Sequence, residues 1–330
     1  MKDSSIRFFS GSDIRRLLTM KQCTEAMKTA FAALSAGEAV MPVRTRLELP
    51  PGNGNALFMP AYMPSIGRVG VKTITNNIDN PAKGLPMNHA LIVIFDSVTG
   101  APLALLDGEA ITALRTGAVS GLATALLARE AARTAAIIGT GVQGETQLEA
   151  VCTVRPITRA YVFDLQAEKA ESFAGKMSKR LNVEVLVAPS PAVLREVDVI
   201  CTATPSQRPV FEDALLKPGV HINAVGAYKP EMVEIPPETI VRAKVVVDQR
   251  DGCLAEAGDI LQPLTKKLIT KDHIHGELGE VVTGQISARE SEDEITVFKS
   301  VGVAVQDLVS ADLVLRKGIE TGIGTELSLA

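Results

Sequence analysis

The spacing of apolar and polar positions divides the chain into two kinds of territory. Over 20–36 apolar side chains recur at helical spacing, behind a Thr19…Gln22 pair that matches a capping box, and Gly37 closes the run. Short strand-like pieces follow at 43–49, 56–61, 69–74 and 90–95. Thr99-Gly100 supplies a turn before 101–106, so the last two pieces read as a hairpin. An Ala-rich helix is predicted over 109–129. The pattern changes near residue 132. Strands are predicted at 134–138, 159–163, 183–188, 197–203, 220–225 and 243–247, with helices at 145–154, 167–180 and, shorter, 190–196. Strand, helix and strand at this spacing predict a doubly wound parallel α/β sheet. Beyond it come a strand-like piece at 296–299 and a helix over 303–319. That last helix is expected to pack back on the first region. The expected organisation is an α+β domain from 1–118 and 303–330, with the doubly wound domain, 119–302, inserted between its parts.

Composition supports this picture. Apolar residues make up 46% of the chain, enough for two cores, while aromatics are only 4% and Trp is absent. The cores must therefore come from Val, Ile, Leu and Ala, which suits strands buried on both faces. A net charge of -4 without a concentrated basic face weighs against a nucleic-acid partner. The cysteines at 23, 152, 201 and 253 match no zinc spacing, and Cys201 reads as a buried free thiol. The start of the chain is polar, and no apolar stretch of membrane-spanning length is expected, so a cytoplasmic protein with no membrane partner is anticipated.

The sharpest motif is Gly139-Thr140-Gly141-Val142-Gln143-Gly144, which follows a predicted strand and opens a predicted helix. In a Rossmann-type dinucleotide fold one glycine makes the tight turn, one lets a pyrophosphate approach, and one lets helix and strand pack closely. Helix-start amides then face the phosphates. Asp164 ends the next strand, 20 residues past Gly144, where a carboxylate can accept both ribose hydroxyls and repel a 2′-phosphate. NAD(H) is therefore the preferred cofactor, with NADP(H) the alternative that Gln166 and Lys169 would favour. A plain strand-end cap is the competing account of Asp164. Thr202-Ala203-Thr204 and Val225-Gly226-Ala227 end two further strands and would line the nicotinamide half, unless they are ordinary loop exits.

Three cations stand out in the other domain. Arg44 lies between Pro42-Val43 and Leu47, Lys72 lies in Gly70-Val71-Lys72-Thr73, and Arg115 sits inside the Ala-rich helix. A charge in an apolar setting needs an anion or a buried partner. Arg grips a carboxylate bidentately, and Lys can donate to one or relay a proton. Structural ion pairing is the plainer account of each. His89 reads as a structural histidine, with proton donation as the alternative. His273 and His275 have metal-ligand spacing in a charged loop but no third ligand near them, so no metal site is expected.

With these residues in hand, the chain resembles the ornithine cyclodeaminase and mu-crystallin family over nearly all of its length. The marks are Met41-Pro42-Val43-Arg44, Phe58-Met59-Pro60-Ala61, Gly70-Val71-Lys72 and Asp107-Gly108. Further marks are Thr112-Ala113-Leu114-Arg115-Thr116-Gly117-Ala118, the glycine turn, His221-Ile222-Asn223-Ala224-Val225-Gly226 and Glu277-Leu278-Gly279-Glu280-Val281. The resemblance implies a homodimer joined through the α+β domain. It implies that Arg44, Lys72 and Arg115 hold a substrate carboxylate. It further implies that the stretch at Arg115-Thr116 reaches the cofactor phosphates and that Ser300-Val301-Gly302 approaches the nicotinamide.

Two departures shape the expected activity. Where the family's ornithine cyclodeaminases carry a catalytic Asp, this chain has Tyr228, and where they carry a Glu before Met-Pro it has Leu57. A cyclodeaminase needs a carboxylate near the side-chain amine of its diamino acid, so the resemblance points away from that reaction. The implied activity is NAD(P)H-dependent reduction of cyclic imino acids, Δ1-pyrroline-2-carboxylate to L-proline or Δ1-piperideine-2-carboxylate to L-pipecolate. An amino-acid dehydrogenase acting on alanine, a cyclodeaminase and a non-catalytic cofactor-binding protein are the alternatives. Each takes a small imino or amino acid with a carboxylate, or the nucleotide alone.

Overall fold

Side chains that alternate between two environments define one sheet, and side chains buried on both faces define the other. In the computed structural model, which describes residues 5–50 and 53–329, the chain divides into two units, 1–115 with 303–330 and 116–302.

The first unit contains β1 (Ser5–Phe9), α1 (Gly11–Leu17), α2 (Met20–Ser35), β2 (Thr45–Leu49), β3 (Gly54–Met63), β4 (Arg68–Asn77), β5 (Asn88–Asp96) and β6 (Pro102–Asp107). The helix α3 (Gly108–Leu127) then crosses the boundary at residue 115. Thr19 caps α2 through the reciprocal Thr19–Gln22 box. β5 and β6 form the hairpin, and Asp96 ties its turn by accepting from the amides of Val98 and Thr99. Among the described residues the sheet order is β15-β1-β6-β5-β4-β3-β2, with β15 supplied by the chain's end. Register puts Met59, Lys72, Ile92 and Leu106 side by side on one face, and all four are buried.

The second unit contains β7 (Thr134–Ile138), α4 (Val142–Val154), β8 (Arg159–Phe163), α5 (Ala167–Leu181), β9 (Glu184–Val187), β10 (Val199–Thr202) and β11 (His221–Ala224). It continues with α6 (Pro237–Arg242), β12 (Lys244–Val247), α7 (Arg250–Glu256), α8 (Gly258–Thr265), β13 (Ile274–Glu277), α9 (Leu278–Val282) and β14 (Thr296–Lys299). Its sheet is parallel throughout, in the order β13-β12-β14-β11-β10-β7-β8-β9. Ala135 and Ile137 of β7 enter one core while Ala136 and Ile138 enter the other. Two covered faces explain why these strands read as unbroken apolar runs. The chain winds from β7 out to β9, then returns to β10 on β7's other side. Carboxyl ends at such a reversal form a ligand crevice. Deep in this unit His221 bonds Thr296 Oγ1 at 2.9 Å, and burial first, then the Arg289 charge, pushes its pKa down to about 3. The ring is neutral at physiological pH.

The chain returns to the first unit through α10 (Ala304–Thr321) and β15 (Thr325–Ser328). α10 packs on α2 and across β3, β4 and β5.

Several sequence expectations need correction. β1 and β15 gave no strand signal, because each is a short edge-side piece with interspersed polar residues. The supposed loop at 271–275 holds a 3-10 turn and the start of β13, whose Ile-His-Gly-Glu lacks an apolar run. His273 and His275 each meet a backbone carbonyl, of Ile240 at 2.7 Å and of Ser287 at 3.0 Å. β2 is exposed along its whole length. Contrary to expectation, α3 is apolar and long enough to cross a membrane. Yet 67% of its 18-residue apolar stretch is buried in the fold, as in the core helix of a folded domain.

Candidate active site

The glycines after β7 show their separate reasons in space. Gly139 has φ +101°, and a Cβ there would stand 2.6 Å from the Ala203 carbonyl oxygen. A Cβ on Gly144 would collide with the Gly139 oxygen, so α4 can start this close to β7 only without one. Gly141 faces open space, with nothing within 4 Å of its missing Cβ. It is the N-cap of α4, and no side chain caps the helix. Open space before uncapped helix amides fits the pyrophosphate of a dinucleotide. Val142 beside it is exposed, and the Gln143 Oε1 is buried without a hydrogen-bond donor. Gly117 lets α3 touch α4, since a Cβ there would stand 2.5 Å from the Thr146 oxygen. The neighbouring Thr116 carbonyl accepts from Gln147 Nε2 at 3.1 Å.

Asp164 stands at the end of β8. Its Oδ2 accepts from Thr140 Oγ1 at 2.6 Å and Thr140 N at 3.2 Å, and its Oδ1 accepts from Gln166 N at 2.9 Å. Partial burial pushes its pKa up, but these donors outweigh that and hold the carboxyl below its ordinary range. It is thus an ionised carboxylate bound to the glycine turn. The strand-end cap and a ribose acceptor are compatible, because Oδ1, which accepts once, retains a second lone-pair direction.

Two buried carboxylates that the sequence did not single out fix the other loops. Glu234 accepts from Thr202 Oγ1 at 2.9 Å, Thr204 N at 2.6 Å, Thr204 Oγ1 at 2.8 Å, Gly226 N at 2.7 Å and Ala227 N at 3.2 Å. Burial, then the nearby Asp259, pushes its pKa up, while Lys299 and Thr204 act against that. Asp259 accepts from the amides of Glu234 and Ile235 and pairs with Lys299 at 2.8 Å, both side chains fully buried. Asp248, also fully buried, accepts from Ser300 Oγ at 2.7 Å, Val301 N at 2.9 Å and Gly302 N at 2.7 Å. Val225 donates its amide to the Thr202 carbonyl, so the ends of β10 and β11 also join through backbone.

In the first unit the cations meet at an unforeseen acid, Asp307 of α10. Lys72 Nζ lies 2.7 Å from its Oδ2, and Arg115 Nε lies 3.1 Å from its Oδ1. All three side chains are buried. Arg115 also donates to Gln306 Oε1 at 2.7 Å, and Lys72 to Thr112 Oγ1 at 3.4 Å. Burial lowers the Lys72 pKa to about 8; Asp307 opposes that shift, while Arg115 and Arg44 add to it. Burial raises Asp307, but Arg115 and Lys72 more than reverse this and leave it lowered. The structure thus places Arg44 and Arg115 each within electrostatic reach of Lys72. Arg44 departs from its expected setting: Pro42 and Val43 beside it are exposed, and it is only half-buried. His89 is exposed and lies 3.9 Å from Glu109, so it is not a satisfied core residue. Tyr228 is exposed, with Lys229 Nζ 5.9 Å from its ring centre, and Leu57 is half-buried in β3.

Residues 7–321 match the ornithine cyclodeaminase/mu-crystallin family. The chain belongs to that family. A Δ1-pyrroline-2-carboxylate reductase of Bacillus cereus is 38% identical over 320 residues, covering 96% of this chain and 98% of that protein. The structure of Thermococcus litoralis Δ1-pyrroline-2-carboxylate reductase, in complex with NADH and L-proline, superposes with a TM-score of 0.93 at 42% identity, covering 97% of this chain and 99% of that one. An archaeal alanine dehydrogenase dimer with bound NAD gives a TM-score of 0.93 at 33% identity, covering 99% of this chain and 100% of that one.

Asp307 had no motif to announce it, but its place in the first turn of the last helix was readable as a helix-start acid. Asp307→Asn leaves two buried cations without their carboxylate. It is expected to destabilise the fold by about 3–5 kcal/mol in urea unfolding, and an unchanged midpoint refutes the pairing.

Proposed function

We propose that this chain is an NADH-dependent reductase of cyclic imino acids that converts Δ1-pyrroline-2-carboxylate to L-proline, and its six-membered analogue to L-pipecolate. One observation carries the reading. Lys72, Arg115 and Arg44 gather positive charge for a small carboxylate, while Leu57 and Tyr228 offer no carboxylate to a substrate's side-chain amine. The 42% identical reductase that holds NADH and L-proline supports it.

The bound cofactor supplies the hydride that adds to C2 of the C=N bond. The amides at Gly139, Thr140, Gly141, Val142, Gln143 and Gly144 hold the pyrophosphate, with Thr116 beside them on α3. Asp164 accepts the ribose hydroxyls and disfavours a 2′-phosphate, which sets NADH above NADPH. Thr202, Ala203, Thr204, Val225, Gly226, Ala227, Ser300 and Gly302 wall the nicotinamide half.

Arg44 and Arg115 fix the substrate carboxylate and so orient C2. Lys72 shares the grip and holds a proton at Nζ. Its lowered pKa, about 8, lets it release that proton near neutral pH. The ring nitrogen of a cyclic ketimine is itself basic and arrives largely protonated, so no strong acid is required. Asp307 keeps Lys72 and Arg115 charged and aimed.

The homodimer we propose uses the outer face of the first unit's sheet. Phe58, Pro60, Tyr62, Val69, Val71, Leu91 and Val93 share that face by register, and Leu91 is 49% exposed. An apolar sheet face of this kind suits a self-complementary interface.

A substrate panel tests the reaction. NADH oxidation with Δ1-pyrroline-2-carboxylate should exceed that with pyruvate plus ammonia, and exceed NADPH oxidation with the same imine. Equal or greater turnover of pyruvate and ammonia would make this an alanine dehydrogenase instead. The pH profile tests Lys72: below pH 8 the lysine of the free protein is charged, so kcat/KM should fall as pH rises through about 8. Lys72→Arg should move that fall upward; an unmoved profile assigns the titration elsewhere. Light scattering tests the dimer, with Leu91→Glu expected to yield monomers and a persistent dimer excluding this face.

A further inference from the structure

We propose that Glu234 is a positioning residue that builds the wall of the nicotinamide half of the site from two separate loops. The inference rests on the proposed cofactor reading and concerns a residue outside every motif discussed above.

Glu234 lies on the segment after β11, and its side chain is fully buried. Its two oxygens receive five donors: two from Thr204 on Oε1, and one each from Thr202, Gly226 and Ala227 on Oε2. Three donors belong to the carboxyl end of β10 and two to that of β11. No other side chain holds both loops in this way among the described residues. Gly226 shows how close they come, since a Cβ there would collide with Thr204 N and stand 2.5 Å from Glu234 Oε1.

Three of the five contacts are backbone amides, which can only donate, and they reach both oxygens, so Glu234 serves the two loops as an acceptor. Burial, then the nearby Asp259, pushes its pKa up, and Lys299 and the Thr204 contacts act against that. The Asp259–Lys299 pair supports the arrangement from behind, because Asp259 Oδ1 accepts from Glu234's own amide at 2.7 Å. The loops so joined lie on the β10–β11 side of the reversal in strand order. The glycine turn and Asp164 lie on the β7–β8 side. Each side of such a crevice takes one half of a dinucleotide. Glu234 therefore acts on one half only, by placing atoms it does not itself share with the ligand.

Glu234→Gln tests this. Glutamine keeps the size but offers one acceptor oxygen and turns an NH2 toward two or three donors. Binding is measured by calorimetry with NADH and with ADP-ribose, which lacks the nicotinamide ring. The dissociation constant for NADH is expected to rise about tenfold, and that for ADP-ribose to stay within about twofold. Equal weakening of both ligands, or weakening of neither, overturns the inference. If Glu234→Gln does not fold, Thr204→Val removes a single hydroxyl donor and should show the same selectivity at about threefold; its absence there overturns the inference too. Wild-type protein that fails to bind NADH would instead refute the cofactor reading.

Discussion

A carboxylate removed from water has to be met by donors from several directions, and in this chain that requirement sets the shape of the site. Ionised groups are so unfavourable in an apolar interior that an unpaired one would neutralise or unfold its surroundings. Glu234, Asp248 and Asp307 are all buried, and each is satisfied by segments far apart in sequence. Glu234 gathers residues 202–204 and 226–227, and Asp248 gathers 300–302. Strand-end loops are ordinarily the least restrained parts of an α/β unit. Here the loops are held by side chains that gain nothing from any other arrangement.

The same constraint works with the opposite balance in the first unit. Asp307 is one anion facing two buried cations, Lys72 and Arg115, with the Arg44 charge also felt at Lys72. One carboxylate suffices to keep Arg115 in place. It does not restore Lys72 to its ordinary pKa, because burial and two like charges act against it. An arriving substrate carboxylate adds the missing negative charge. Its binding and the protonation of Lys72 should therefore reinforce each other. Plain ion pairing and substrate binding were competing accounts of these cations; the geometry shows the ion pairing, and the proposed substrate grip would build on it.

Much of this was readable in the chain, for physical reasons. Glycines required by close approach leave a fixed spacing, so the turn at Gly139 and Gly144 and its Asp164 were legible. Unbroken Val, Ile and Ala runs announced the parallel strands, because both of their faces are covered. β13 escaped because neighbours, rather than its own Ile-His-Gly-Glu, make it a strand. Arg44 misled because Pro42 and Val43 look apolar in sequence yet lie exposed. Glu234 and Asp248 escaped for a deeper reason. A carboxylate that organises loops is defined by its donors, and those donors are mostly backbone amides that any sequence would supply. Only Thr202, Thr204 and Ser300 left a side-chain trace.

That distinction bears on how one family comes to serve different reactions. Glu234, Asp248 and Asp307 are buried charges that cannot be changed one at a time without leaving their partners unmatched. Leu57 and Tyr228 are different: neither carries a charge, and Tyr228 is exposed. Such positions can gain or lose a carboxylate without leaving an unpaired ion behind. A cyclic imino acid needs no anion there, since its nitrogen already lies in the ring and its own basicity supplies the proton. An open-chain diamino acid does, because its distal ammonium has to be held and activated. On the proposed function, substrate class would be decided at places where the fold is least demanding.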